Sequence, residues 1–235
     1  MLLLTVPGTE GADADLRIFN NDGGEAEISG NGTRCAAAWL VEARGMGQQL
    51  AIRTGAGLKH LALLARAAHR FSFEMEMGKP VFSASAIPFR PGSVVPEPIV
   101  DFALPLADGT RRVTVTSMGN PHCSLLVESL DWDWQVLGAK IERHPFFPNR
   151  TNVEFCRVVS KHAIEVRFWE RGVGMTLSSG TGSCAAAVAA ILNQKAASPV
   201  SVRTLAGELI VRWDPAGVFL TGPAEIICQG EYFAP

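Results

Sequence analysis

The chain contains one phrase twice. Ser29-Gly30-Asn31-Gly32-Thr33-Arg34-Cys35 runs into an Ala-rich stretch, and so does Ser179-Gly180-Thr181-Gly182-Ser183-Cys184. A second phrase keeps step with the first. Arg53-Thr54-Gly55-Ala56-Gly57 begins 24 residues after Ser29, and Arg203-Thr204-Leu205-Ala206-Gly207 begins 24 residues after Ser179. A helix phrase and a strand phrase recurring at one separation imply two homologous α/β halves. With only two copies at so long a period, a solenoid is excluded. Residues 1–105 and 106–235 are the expected halves, with the last residues able to return to the first. Two such halves form a cleft, the usual place for a small-molecule site.

The phrase has its own physics. A Gly-x-Gly turn brings backbone N–H groups close to a ligand, and the helix after it offers unpaired donors and a positive dipole end. Together they suit a carboxylate or phosphate. One copy alone reads as a capped glycine turn; two matched copies read as a pair of anion grips. A thiol just before each turn would have its pKa lowered and act as a base. Two of them, flanking one substrate, could invert a stereocentre without a cofactor.

Periodicity fills in the rest. Strands are expected at residues 1–6, 16–20, 50–54, 71–77, 112–116, 124–127, 153–159, 164–169, 200–203, 208–213 and 218–220. Helices are expected after Gly32 through Glu42, from Trp134 to Glu142 and from Thr181 to Leu192, and a turn at 21–24. Prolines at 80, 88, 91, 96, 98 and 105 exclude a long helix there and suggest a crossover between the halves.

Composition excludes several classes of function. A formal charge of −2 gives no reason to expect a nucleic-acid or membrane partner. The five tryptophans show no stacking pattern with basic residues. The opening Met-Leu-Leu-Leu-Thr-Val is too short for a membrane span. Five cysteines without a Cys-x-x-Cys pair argue against a disulfide scaffold or a zinc site. A reduced, cytoplasmic protein with no metal follows. Cys35, Cys123, Cys156, Cys184 and Cys228 are all expected to be buried.

Longer motifs carry a resemblance. Phe19-Asn20-x-Asp22-Gly23-x-Glu25 leading to Gly30-Asn31-Gly32-x-Arg34-Cys35 resembles the first active-site segment of diaminopimelate epimerases. Gly119-Asn120-Pro121-His122-Cys123, Thr151-Asn152-Val153-Glu154-Phe155, Glu170-Arg171-Gly172 through Cys184, and Thr221-Gly222-Pro223-Ala224 resemble the later ones, in family order. The resemblance implies an α/β (α+β) fold of two pseudo-symmetric halves, each a mixed sheet wrapped around a central helix. It implies a cofactor-independent isomerase that transfers a proton between two bases on LL- and meso-diaminopimelate, in lysine biosynthesis. Asn20, Asn120, Asn152, Glu170 and Arg171 would hold the substrate's polar groups. Gly30, Asn31, Gly180 and Thr181 would supply donors to its α-carboxylate. The partner is then a small amino acid, and a homodimer stays open as the assembly.

Three departures bear on activity. The family's two catalytic cysteines fall on Ser29 and Ser179. A thiol titrates near pH ~8.5, whereas a serine hydroxyl needs a neighbouring base. His122 is an auxiliary candidate, with a structural hydrogen-bonding role equally open. The family's opening Gly-x-Gly-Asn-Asp-Phe segment has no counterpart here, so the first half is expected to lack edge strands and part of its pocket. Met175 replaces a glutamate. Weak turnover or none is therefore expected from the family chemistry. The alternatives are an inactive amino-acid-binding homologue, an isomerase for another amino acid, or a chain whose cysteines were exchanged deliberately.

Overall fold

The computed structural model describes residues 1–8, 10–19 and 23–231. It groups them into two bodies, residues 1–76 with 221–235, and residues 77–220.

Alternating burial builds the first body. Its strands are β1 (Leu2–Thr5), β2 (Ala14–Phe19), β3 (Glu25–Ala26), β4 (Gln49–Thr54), β5 (Gly57–Ala67) and β6 (Arg70–Gly78, of which 77 and 78 belong to the second body), and its helix is α1 (Gly30–Arg44). β4 buries Leu50, Ile52 and Thr54 on one face, and β6 buries Phe71, Phe73, Met75 and Met77. The strand order is β1-β2-β4-β5-β6, with β3 beside β2. The parallel β2–β4 pair is bridged by α1, a crossover that parallel neighbours require. Ser29 caps α1, and Gly45 ends it in the left-handed conformation at φ 63°.

The second body contains β7 (Ile99–Leu106), β8 (Gly109–Ser117), β9 (Pro121–Leu126), α2 (Trp134–Glu142), β10 (Asn152–Ser160), β11 (Ala163–Glu170), β12 (Gly174–Thr176), α3 (Gly180–Leu192), β13 (Val200–Thr204) and β14 (Gly207–Asp214). The order is β14-β13-β11-β10-β9-β8-β7, with β12 beside β11. Parallel pairs β9–β10 and β11–β13 are bridged by α2 and α3. One core packs Trp134, Leu137 and Ile141 of α2 against Val113, Val115, Leu125, Val153 and Phe155. β15 (Gly217–Glu225) contributes residues 217–220 here and 221–225 to the first body.

The repeat extends to register. β2–β4 pairs Ala14 with Ile52, and β11–β13 pairs Ile164 with Val202. Thr54 faces Gly57 across the β4–β5 turn, and Thr204 faces Gly207 across the β13–β14 turn. Each second-half residue stands 150 positions after its first-half partner.

The helices differ in cover. Ala185 to Ala190 of α3 are fully buried. α1 keeps an exposed stripe of Asn31, Cys35 and Trp39, spaced one turn apart. Cys35 and Cys228 are thus exposed, contrary to the expectation of buried thiols, whereas Cys123, Cys156 and Cys184 are buried. Cys35 lies on the side of α1 turned away from the sheet, and Cys228 follows the last strand. Four strands escaped the periodicity: β3 and β12, which are only two and three residues long, and β5 and β7. β5 lacks alternation because most of its residues are partly or fully exposed. β7 lies in the proline-rich segment, where Pro105 is tolerated because β7 ends the sheet order. Among the described residues no helix is long and apolar enough to cross a membrane.

Candidate functional site

The two serines head their helices in one conformation. Ser29 has φ −140° and ψ 114°, and Ser179 has φ −138° and ψ 127°. Each Oγ accepts a backbone N–H three residues on, from Gly32 at 3.1 Å and from Gly182 at 3.3 Å. Each serine carbonyl takes two bonds from residue i+4, the N–H and hydroxyl of Thr33 in one helix and of Ser183 in the other. First-turn N–H groups have no intrahelical acceptor. Those of Gly30 and Asn31, and of Gly180 and Thr181, precede the capped one and stay directed off the helix end. Neither first turn carries an acid that would neutralise the dipole.

The second phrase explains its constant spacing. The Ala56 N–H donates to the Glu27 carbonyl at 2.9 Å, and the Ala206 N–H to the Leu177 carbonyl at 3.2 Å. Thr54 Oγ1 accepts from Ala56 and donates to Gly57; Thr204 does the same with Ala206 and Gly207. Each hairpin turn thus fastens the chain two residues before a capping serine. Beside Ser29, the Nη2 of buried Arg34 donates to Asn31 Oδ1 at 2.7 Å and its Nε to the Pro223 carbonyl at 3.3 Å. Asn20 lies outside the described residues.

The second body holds a polar chain under α3. Asn120 Nδ2 donates to Thr181 Oγ1 at 3.5 Å, and Asn120 Oδ1 meets His122 Nε2 at 2.8 Å. His122 Nδ1 lies 2.6 Å from Glu154 Oε1, and Ser124 donates to Glu154 Oε2 at 2.9 Å. His122 and Glu154 are 0% and 1% exposed. Both ring nitrogens of His122 are therefore engaged within this body. Glu154 carried no role in the sequence reading, although its spacing of two from Asn152 on a strand puts both on one face.

A second cluster mounts the Glu170–Arg171 turn. Asn152 Oδ1 accepts the Arg171 N–H at 2.9 Å, and Glu170 Oε1 accepts from Thr176 at 2.8 Å. The Arg171 guanidinium is exposed and reaches the Asn149 carbonyl at 3.4 Å. Glu142, at the end of α2, takes the Trp169 indole N–H at 3.2 Å and the Gly172 N–H at 3.0 Å. Burial raises the Glu142 pKa, but those two donors with Arg143 and Arg150 outweigh it and leave the carboxyl below its usual value. No motif pointed to Glu142, because the Trp169 and Gly172 donors lie 27 and 30 residues away in sequence.

The thiols offer no substitute base at the cap positions. Burial pushes Cys156 up to about 12, with the Glu154 charge adding, and the same two causes hold Cys123 well above its usual value. Cys35 sits on the exposed stripe with its sulfur partly covered. That cover raises its pKa against the pull of Arg34. Among the described residues, no carboxylate, histidine or lysine hydrogen-bonds to Ser29 or Ser179 within its own body.

This arrangement is a fold shared with solved epimerase and racemase structures. The chain superposes on a hydroxyproline epimerase from Agrobacterium vitis with a TM-score of 0.71 at 17% identity, covering 96% of this chain and 72% of that one. It superposes on a probable proline racemase from Agrobacterium radiobacter K84 with a TM-score of 0.68 at 18% identity, covering 97% and 76%. Sequence narrows the class. The diaminopimelate epimerase family profile matches residues 3–83 and 114–227. A diaminopimelate epimerase from Pelotomaculum thermopropionicum is 43% identical over 238 residues, which cover 98% of this chain and 82% of the relative. One from Desulfitobacterium hafniense is 37% identical over 232 residues, covering 97% and 81%. The chain belongs to the diaminopimelate epimerase family, a family of isomerases.

Proposed function

We propose that this protein binds diaminopimelate, or an amino acid of the same kind, and inverts its α-carbon slowly or not at all. In this reading the first-turn N–H groups of Gly30 and Asn31, and of Gly180 and Thr181, receive the α-carboxylate. Asn20, Asn120, Asn152, Glu170 and Arg171 hold the remaining polar groups. Ser29 and Ser179 stand at the two base positions of a cofactor-independent proton transfer in lysine biosynthesis. The observation that carries the reading is the state of the two hydroxyls. Each is a helix cap whose oxygen accepts a backbone N–H at 3.1 or 3.3 Å, and among the described residues neither is bonded to a base in its own body. A serine so placed keeps its proton, so the grip outlasts the chemistry. Five cysteines with no Cys-x-x-Cys pair suit a reducing compartment, and we place the protein in the cytoplasm.

The test is to incubate the protein with LL-diaminopimelate in heavy water and follow the α-proton by NMR. A persistent α-proton signal with ligand-induced shifts in the protein is expected. Rapid loss of the signal, with the meso isomer appearing, overturns the low-turnover reading. Absence of any shift at millimolar ligand overturns the binding reading.

A further inference from the structure

We infer that Glu154 is a positioning residue that holds His122 as a doubly protonated imidazolium, and that this cation fixes Asn120 against Thr181 at the head of α3. The inference deepens the proposed function, because it rests on Asn120 and Thr181 serving the substrate.

The geometry runs in one direction. Thr181 Oγ1 lies on the Nδ2 side of Asn120, so the amide turns its oxygen toward the ring. An amide oxygen only accepts, and so does an ionised carboxylate. His122 has Asn120 Oδ1 2.8 Å from Nε2 and Glu154 Oε1 2.6 Å from Nδ1, so with Glu154 ionised both nitrogens donate. An imidazole that donates twice carries a positive charge. Glu154 keeps that charge neutralised where neither residue reaches water. Its second oxygen is satisfied by Ser124, so the carboxylate cannot swing away.

The surroundings agree. Thr116 on β8 and Asn152 on β10 flank His122 in register, and neither is charged. Cys123 and Cys156 lie beside Glu154 with their thiols held protonated, by burial first and by the Glu154 charge second. Among the described residues Glu154 is the carboxylate bonded to the ring. The result is a rigid rod of side chains from Ser124 to Thr181, ending at a first-turn residue of α3. Buried networks in which every member is satisfied set one orientation of each amide.

The experiment uses the full chain labelled with nitrogen-15, with the His122 ring signals assigned through a His122→Gln variant. Long-range proton–nitrogen NMR at pH ~8 should show both ring nitrogens protonated. In Glu154→Gln only one ring nitrogen should stay protonated at that pH, and the Asn120 side-chain amide signals should move. The affinity for LL-diaminopimelate should fall about tenfold, the size of one lost hydrogen bond. A wild-type ring with an unprotonated Nε2 at pH ~8 overturns the inference, and so do unmoved Asn120 signals in Glu154→Gln. Should that variant fail to fold, the wild-type spectrum still decides the protonation state. Thr181→Val then tests the far end: it should shift the Asn120 amide and leave the ring protonated. If wild-type protein fails to bind diaminopimelate, the substrate reading falls while the ring signals still judge the rod.

Discussion

Both ends of the Asn152 amide are used inside the protein: Oδ1 accepts the backbone N–H of Arg171 at 2.9 Å, and Nδ2 donates to the Pro121 carbonyl at 2.9 Å. The residue ties the Glu170–Arg171 turn to the segment that carries Asn120 and His122. Asn152→Ala should therefore act on position as well as on contact. Stability should drop by about 1–3 kcal/mol, the cost of leaving buried partners unsatisfied, as read by urea unfolding. Diaminopimelate affinity should fall with it in calorimetry. A loss of stability with unchanged affinity would reduce Asn152 to a structural tie.

Cysteine at both cap positions should restore chemistry. A thiol at a helix N-terminus with no acid in its first turn titrates lower than a free one, while a serine there does not reach the range of a base. The Ser29→Cys, Ser179→Cys double variant should exchange the α-proton of LL-diaminopimelate far faster than the wild type in heavy water. Some helix stability should be lost, about 0.5–2 kcal/mol per cap. A double variant that folds, binds and still exchanges no proton would show that the serines are not the main block.

The paired glycines should tolerate alanine unequally. A Cβ on Gly182 would lie 2.9 Å from Phe168 Cδ1, and Phe168 is 1% exposed in the core. A Cβ on Gly32 would lie 2.9 Å from Leu2 Cδ2, the end of an exposed side chain. Gly182→Ala should cost about 1–3 kcal/mol through overpacking, and Gly32→Ala much less because Leu2 can move aside. Thermal melts of the two variants decide it, and equal losses would contradict the packing described here.

Glu142 predicts the sign of a pH effect. Its folded pKa is depressed despite burial, because Gly172, Trp169, Arg143 and Arg150 favour the carboxylate. Its contribution is thus present above the ordinary glutamate value and lost as pH falls through the lowered one. Glu142→Gln should be less stable than wild type near neutrality, and the gap should narrow in acid. The Trp169 indole N–H signal should shift in the same variant. A gap that stays constant with pH would remove the charge from the explanation.

Most of the fold was legible because periodicity and repetition are local. Helix α2 occupies the residues the pattern gave it, and α1 and α3 differ from expectation only at their ends, where the caps begin the helix at glycine. β5 and β7 were not legible, since pairing rather than alternation makes them strands. The site was half legible. The glycine turns and the Asn, Glu and Arg positions stand in phrases that can be read along the chain. Glu154 was readable as part of a motif but not as a partner, because the His122 pairing comes from the parallel β9–β10 register. Glu142 left no trace at all. The exposure of Cys35 was hidden because an Ala-rich helix reads the same whether a sheet covers one face or all of it.

The shared register of the two halves also limits length. From Ala14 to Gly57 and from Ile164 to Gly207 the ladders agree residue for residue, although α3 has 13 residues and α1 has 15. The connection after the shorter helix makes up the difference. Side chains in these stretches have been rewritten freely, serine for threonine and leucine for glycine, while the residue count between ladders has stood still. A single inserted residue would move the hairpin turn off the carbonyl it fastens, and with it the serine two places on. Loop insertions belong elsewhere in this chain, and a library that varies length should leave these two intervals alone.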